Sequence, residues 1–373
     1  MLAASLLVGC DPPGEGSPAG SAEPSPSATP ATPVRSTGSS EPVELPSLVL
    51  IANVGERPPV WEVVAHLPFG PGQRRLGYVP ASSDDNLAVV PTSFAVADDG
   101  SLWVLDGFKE RVAHYSAGGR FLGDAGRFPW ESGWEVRDLQ WHDGRLFVLL
   151  GDSGTVAAAI GVVRGSRQDP MVPITSDGDP VIVYSLVPGT TELVGELHGW
   201  AGGGEHALGG GPSGWAEIDV PGSGDAALLP GIPLAEGGAM DLRYPLDERS
   251  QPQTDRLEVR FVGAGAESML PLRFRLVAGE GETPRRHLVS ASVQAALAGG
   301  LVAFVRISTS GGRPSLGGWW YLQVSSDGSA LAWEPLPLPG IATELQVRYL
   351  TVAPDGAVHL MLADEDGVTI LRR

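Results

Sequence analysis

The sequence predicts an all-β chain folded as a β-propeller of six blades, and three observations carry that prediction. Gly and Pro are abundant, at 51 and 33 of 373 residues, and they interrupt short runs rich in Val and Leu. Turn formers at that density suit many short antiparallel strands. One stretch reads as four consecutive strands within the length of a single propeller blade. Parts of that stretch recur downstream, first with equivalent glycines, Gly100 and Gly144, 44 residues apart, which is a blade period. Seven blades is the nearest competing count, and a pair of two-sheet sandwiches is the competing architecture.

The four-strand stretch is residues 91–123, PTSFAVADDGSLWVLDGFKERVAHYSAGGRFLG. Phe94 and Val96 alternate with alanines, as a strand requires. Asp98-Asp99-Gly100 is a hairpin turn, because Gly reaches positive φ cheaply and Asp tolerates it. Leu102-Trp103-Val104-Leu105 is the return strand, apolar throughout as expected where both faces are covered. Residues 111–115 form a third strand, Ser116-Ala117-Gly118-Gly119 turns the chain, and residues 120–122 begin a fourth. Residues 350–362 repeat the first hairpin, with Asp355-Gly356 at its turn, and run on into a strand at 367–371. Residues 139–148 are a third copy, with Asp143-Gly144 in a turn one residue shorter. Residues 321–333 form another Asp-Gly hairpin, read as the outer pair of a blade.

The middle of the chain diverges from this pattern but still reads as strands. Residues 181–186 and 192–197 flank Pro188-Gly189 as a hairpin, and 257–262, 271–277, 289–295 and 301–307 are further strands. The 256 residues from Gly100 to Gly356 hold about five to six blade periods. A propeller is closed when an N-terminal strand completes its last blade, which leaves no open edge there. Residues 48–52 or 61–65 can supply that strand.

Residues 91–123 resemble an NHL repeat and, more loosely, the blades of calcium-dependent lactonase propellers. The resemblance rests on Pro91, the Asp-Gly hairpin, the strand ending at Asp106, the Arg111-Val112 pair and the closing Gly119-Arg120-Phe121. The Asn that usually precedes Arg-Val is Glu110 here. The resemblance implies the propeller fold; propellers host enzymes, receptors and scaffolds alike, so it assigns no activity. In the lactonase-like propellers a central calcium is held by acids and an asparagine from several blades, and this chain has two Asn, Asn53 and Asn86.

The single cysteine gives the clearest indication of location. Cys10 closes Leu7-Val8-Gly9-Cys10, after an apolar stretch and before a Pro/Ser/Gly-rich run. This resembles the lipobox of bacterial lipoproteins, which implies lipidation of Cys10 and a cell-membrane, extracytoplasmic location. Residues 1–9 are too short to span a bilayer, which takes roughly 20 apolar residues. Residues 11–46 carry almost no apolar side chains and are expected to be a disordered spacer. The expected organisation is therefore a lipoprotein signal remnant at 1–10, a linker at 11–46 and a propeller at 47–373.

A net charge of −19 argues against nucleic acid as a partner, since nucleic acid rewards basic patches. The expected partners are the membrane, through the lipid, and an envelope protein or glycan. Four of the ten tryptophans, Trp130, Trp134, Trp200 and Trp215, fall in loop-like sequence, where flat amphipathic rings can line a peptide or glycan site. Trp103, Trp141 and Trp333 lie on strands and are assigned to the core.

The remaining motifs read as turns. Gly151-Asp152-Ser153-Gly154 copies the tetrapeptide around a protease serine, but no histidine flank matches. His198, Glu205 and His206 are sensible zinc ligands in a glycine-rich loop that lacks a regular element to hold them. Asp84-Asp85-Asn86, Asp177-Gly178-Asp179 and Asp364-Glu365-Asp366-Gly367 lack the spacing of a calcium loop. The sequence thus predicts no catalytic residues, no metal and no cofactor. A non-catalytic binding or scaffold module is favoured over a calcium-dependent hydrolase or lactonase of similar fold.

Overall fold

Short strands of β-branched and aromatic residues, cut by glycines at positive φ, organise this chain into six sheets. The computed structural model describes residues 43–53, 56–81, 88–125, 134–152, 158–164, 167–169, 171–176, 179–180, 183–190, 192–197, 214–218, 226–248, 253–263, 266–277, 287–309, 317–341 and 348–373. Three strands precede the repeats: β1 (Val43–Glu44), β2 (Leu48–Asn53) and β3 (Glu62–Pro68). Blade 1 is β4 (Ser93–Val96), β5 (Leu102–Asp106), β6 (Arg111–Tyr115) and β7 (Phe121–Asp124). This is the four-strand unit read from the sequence.

Blade 2 holds β8 (Trp134–His142), β9 (Arg145–Asp152), β10 (Ala158–Arg164), β11 (Arg167–Gln168), β12 (Val172–Ser176) and β13 (Asp179–Pro180). Blade 3 is β14 (Val183–Pro188), β15 (Leu193–Leu197), β16 (Gly214–Ile218) and β17 (Ala226–Leu229). Blade 4 is β18 (Ile232–Pro233), β19 (Ala239–Arg243), β20 (Arg256–Val262) and β21 (Glu267–Val277). Blade 5 is β22 (His287–Leu297), β23 (Gly300–Thr309), β24 (Gly317–Ser325) and β25 (Ala330–Pro335). Blade 6 begins with β26 (Leu350–Val352), β27 (Val358–Ala363) and β28 (Gly367–Arg372).

These six sheets form a β-propeller. The first strands of blades 1, 2, 3, 5 and 6 (β4, β8, β14, β22 and β26) neighbour one another in turn, β26 returns to β4, and blade 4 meets β22 of blade 5 through β19 and β20. The ring is closed by β3, which pairs antiparallel with β28 as the outer strand of blade 6. Of the two candidate closing segments, 61–65 performs this role. The other, 48–52, lies in β2, which pairs parallel with β21 on the outside of blade 4. Among the described residues strand pairing begins at Val43, where β1 also joins β21, four residues before the expected start of the domain.

The apolar cores lie between blades. Leu67, Phe94, Val104, Met361 and Ile370 pack blade 6 against blade 1. Trp103, Leu139 and Val148 pack blade 1 against blade 2. A larger cluster, with Val187, Met240, Leu272, Val305 and Trp320, joins blades 3, 4 and 5. Burial of this kind contributes about 25 cal/mol per Å² of apolar surface. The one-residue-shorter turn of blade 2 is explained by its backbone: Asp143 and Gly144 have φ of 46° and 68°, the doubly positive pair of a two-residue type I′ hairpin.

Candidate functional site

The inner strands meet at one buried carboxylate. Asp138 lies just past a register shift in β8, between Val136 and Asp138, and such bulges re-aim side chains. One of its oxygens accepts from Ser93 Oγ at 2.7 Å, the Leu139 amide at 2.9 Å and Arg348 Nε at 3.0 Å. The other accepts from the Leu186 amide at 2.8 Å and Arg348 Nη2 at 2.5 Å. Arg348 Nη2 also donates to the Leu186 carbonyl, and the Arg348 amide donates to the Thr92 carbonyl at 3.1 Å. Blades 1, 2 and 3 and the lead-in to blade 6 are thereby tied to a single side chain.

Asp138 is 0% exposed and Arg348 1%. Two charges buried this deeply persist only when their hydrogen bonds are made. Arg348 Nη1 is the exception, a buried donor without a partner among the described residues. Blade 3 adds Glu196, whose carboxyl accepts from Ser185 Oγ at 2.6 Å. Burial pushes the Glu196 pKa up, and Asp138 and Asp241 push the same way, while Ser185 and Arg348 oppose them. A general base or a metal ligand needs an accessible lone pair. The Asp138 oxygens are occupied by five donors, so their chemistry is that of a brace.

A second polar cluster belongs to blade 1. Asp106, at the end of β5, accepts from the Gly77 amide at 3.1 Å on each oxygen and from Arg111 Nε at 3.1 Å. Burial raises its pKa and the Arg111 charge opposes the rise. Arg111 also reaches the carbonyls of Gln73 and Arg75, both at 2.5 Å, and Asp124 at 3.0 Å. Lys109, the only lysine in the chain, donates to the carbonyls of Gly70 and Gly72 at 2.8 Å and Arg75 at 2.6 Å. The cluster clamps the segment after β3 onto blade 1. Gly77 has no room for a side chain, since a Cβ would sit 2.6 Å from Phe108 and 2.7 Å from Asp106 Oδ1. The Asp106 and Arg111-Val112 features that resemble an NHL repeat thus serve the blade itself.

Cys10, Trp130, Trp200, His198, Glu205 and His206 lie outside the described residues, as do Ser153 and the acidic run at 84–86. Trp134 and Trp215 are on strands rather than loops: their backbones pair with Asp152 in blade 2 and with Glu196 and Leu229 in blade 3. Trp103 is buried and stacks on His114 at 3.7 Å between ring centroids, with Trp141 at 6.5 Å on blade 2. Trp333 packs on Trp320 at 5.7 Å and donates to the Ile51 carbonyl at 2.8 Å, which pins β2 against blade 5. Asp364 spends one oxygen on the amides of Asp366 and Gly367, as a turn. Asn53 is on β2, at the outside of blade 4, and donates to Glu56 at 2.9 Å. Among the described residues no three His, Cys, Asp or Glu side chains are grouped so as to hold a metal ion.

Sequence reasoning missed Asp138 and Arg348. The signal that could have found Asp138 is positional: it precedes the first core residue of its repeat copy, Leu139, as Ser93 precedes Phe94.

A family model described as a domain of unknown function (DUF7485) matches residues 59–171, which hold β3 through β11. No curated protein matches. Among solved structures, a gluconolactonase from Xanthomonas campestris aligns at 14% identity and a TM-score of 0.40, covering 82% of this chain and 98% of its own. Virginiamycin B lyase from Staphylococcus aureus aligns at 10% identity and 0.38, covering 80% and 98%. The PQQ-bound aldose sugar dehydrogenase of Streptomyces coelicolor aligns at 14% identity and 0.38, covering 84% and 99%. The chain is similar to these proteins in outline only, and its fold is assigned from its own six sheets.

Proposed function

We propose that this protein is a lipoprotein anchored through Cys10 on the extracytoplasmic face of the cell membrane. Its propeller is a non-catalytic binding or scaffold module for a protein, peptide or glycan. The observation that carries the reading is the saturated carboxylate where the inner strands meet. An enzyme that used this position would leave Asp138 a free lone pair, whereas here it joins four blades and reaches no solvent. A rigid ring is what a binding module needs, because pre-formed surfaces lose less entropy on association. The lactonase reading lacks its asparagine among the described inner residues, since Asn53 lies on β2.

Two experiments test this. Mass spectrometry of the protein from its native membrane is expected to find acyl chains on Cys10, and Cys10→Ser is expected to release it to the aqueous phase. An unmodified Cys10 in membrane-extracted protein would remove the anchor from the proposal. A panel of lactones and esters with added calcium is expected to show no turnover, while crosslinking in the native envelope captures a discrete partner. Turnover of any member of the panel would reverse the reading.

A further inference from the structure

The outside of blade 4 presents an open sheet face. Its outermost long strand is β2, and the register with β21 sorts the side chains of both strands into two rows. Leu50 and Ala52 stand opposite Phe274 and Leu276, and all four are buried in the core shared with blade 5. Val49 and Ile51 stand opposite Arg273 and Arg275 on the other side. Val49 is 56% exposed, Ile51 49%, and Val277, on that same side opposite Asn53, 39%. Apolar side chains gathered on two adjoining strands form a patch, and exposed patches mark contact surfaces.

The charges of this face do not balance at its centre. Arg273 and Arg275 are exposed, and among the described residues neither makes an ion pair. Arg256, opposite Arg273 on β20, is also exposed and lies 3.4 Å from Asp255. Farther in, Arg243 pairs with Glu258 at 3.6 Å and Arg260 with Glu267 at 2.8 Å. Two acids flank the centre: Glu44, opposite Met269, and Glu56, which accepts from Asn53 at 2.9 Å. A basic centre thus stands out on a chain of net charge −19. Repulsion between the rest of the chain and an anionic surface is screened beyond about 10 Å at 0.1 M salt, so the groups at the contact decide its sign. Arginines beside valine and isoleucine suit an anionic lipid interface, where guanidinium meets phosphate and the apolar tips enter the headgroup layer. Position points to the same occupant, because among the described residues β1 and β2 are the first strands after the segment that carries Cys10.

We propose that the β2–β21 face of blade 4 rests on the anionic phospholipid headgroups of the membrane. Arg273 and Arg275 contact lipid phosphate, and Val49 and Ile51 dip among the headgroups. The inference rests on the membrane-anchor reading above and deepens it: the lipid on Cys10 holds the protein at the bilayer, and this face sets how the ring stands on it.

The test is co-sedimentation of the full chain carrying Cys10→Ser, so that no attached lipid contributes, with two kinds of vesicle. One is phosphatidylglycerol and phosphatidylcholine in equal parts, the other phosphatidylcholine alone, both at about 0.1 M salt, where the screening above applies. Binding to the anionic vesicles and little to the neutral ones is expected. Arg273→Gln and Arg275→Gln are each expected to weaken it about fivefold, the weight of one basic residue at an anionic surface. Val49→Ser with Ile51→Ser is expected to weaken it further at unchanged charge. Arg120→Gln, at an exposed arginine of blade 1, is expected to leave it unchanged. No binding, equal binding to neutral vesicles, or an equal loss with Arg120→Gln would overturn the proposal. Crosslinks from this face to an acidic protein in place of lipid would do the same. Because vesicle binding is read without the anchor, its failure is distinct from finding Cys10 unmodified.

Discussion

Asp138–Arg348 and Asp106–Arg111 are both buried aspartate–arginine pairs, with N–O distances of 2.5 and 3.1 Å. The first joins residues 210 apart in sequence and ties four blades together. The second joins residues five apart and fastens one segment to one blade. Similar chemistry therefore holds the ring in one place and a strap in the other, and the two pairs are expected to fail differently.

The largest effect is expected at the inner pair. Arg348→Met leaves Asp138 charged, buried and short of two donors, and is expected to cost about 3–5 kcal/mol. Adding Asp138→Asn is expected to recover part of that, because it removes the unpaired charge while the amide oxygen, in place of the carboxylate oxygen that Ser93 Oγ and the Leu139 amide share, still accepts from both. Urea unfolding of the single and double variants measures both numbers. A loss under about 1 kcal/mol for Arg348→Met would place this pair with ordinary surface ion pairs.

The strap is expected to give a smaller and local response. Lys109→Met removes three bonds to backbone carbonyls, a loss of about 1–2 kcal/mol. Hydrogen exchange is expected to speed up at the Gly70, Leu76 and Gly77 amides while blade 3 amides keep their protection. Faster exchange throughout the ring would erase the distinction between strap and brace.

Glu196, beside the inner pair, supplies a pH dependence. Its folded pKa is raised, so its contribution to stability is fully present below the unfolded value near 4.5. That contribution declines above this value and is gone once the pH has risen through the folded pKa. The slope reaches at most about 1.4 kcal/mol per pH unit. Asp106 acts in the same direction, so the difference between wild type and Glu196→Gln isolates Glu196. The variant is expected to show a shallower fall in stability toward alkaline pH, measured by thermal melts from pH 4 upward; parallel curves would refute this.

The smallest effect concerns the strap's own turn. Glu110 has a φ of 52°, a left-handed conformation that Asn tolerates better than Glu. Glu110→Asn is expected to add on the order of 0.5–1 kcal/mol, read as a shift in the urea midpoint. A destabilised variant would mean that the Glu110 side chain contributes something its backbone conformation does not indicate.

The same contrast explains what could be read from the sequence. The Asp-Gly hairpins, the divergent hairpin of β14 and β15, and the Asp106 and Arg111 features are local, and local spacing reveals them. The partnership of Asp138 with Arg348 is set by ring closure, and nothing near either residue announces it. Trp134 and Trp215 each follow a glycine, as a residue in a loop often does, yet pairing with the neighbouring strands of their blades decides their backbone. The two N-terminal runs, 48–52 and 61–65, both read as strands, although only the second carries a charged residue, Glu62. Only the geometry of blades 4 and 6 separates a parallel addition at β2 from an antiparallel closure at β3.

The order of those two strands has a mechanical consequence. Any pull arriving through residues 1–42 reaches β1 first, then β2, and only afterwards β3. Before β3 it meets the bonds of β1 and β2 to β21, then the buried Leu50 and Ala52 and the bond from Trp333 to the Ile51 carbonyl. The peripheral strands thus stand as a buffer, whose bonds and buried side chains lie between that end of the chain and the strand that shuts the circle.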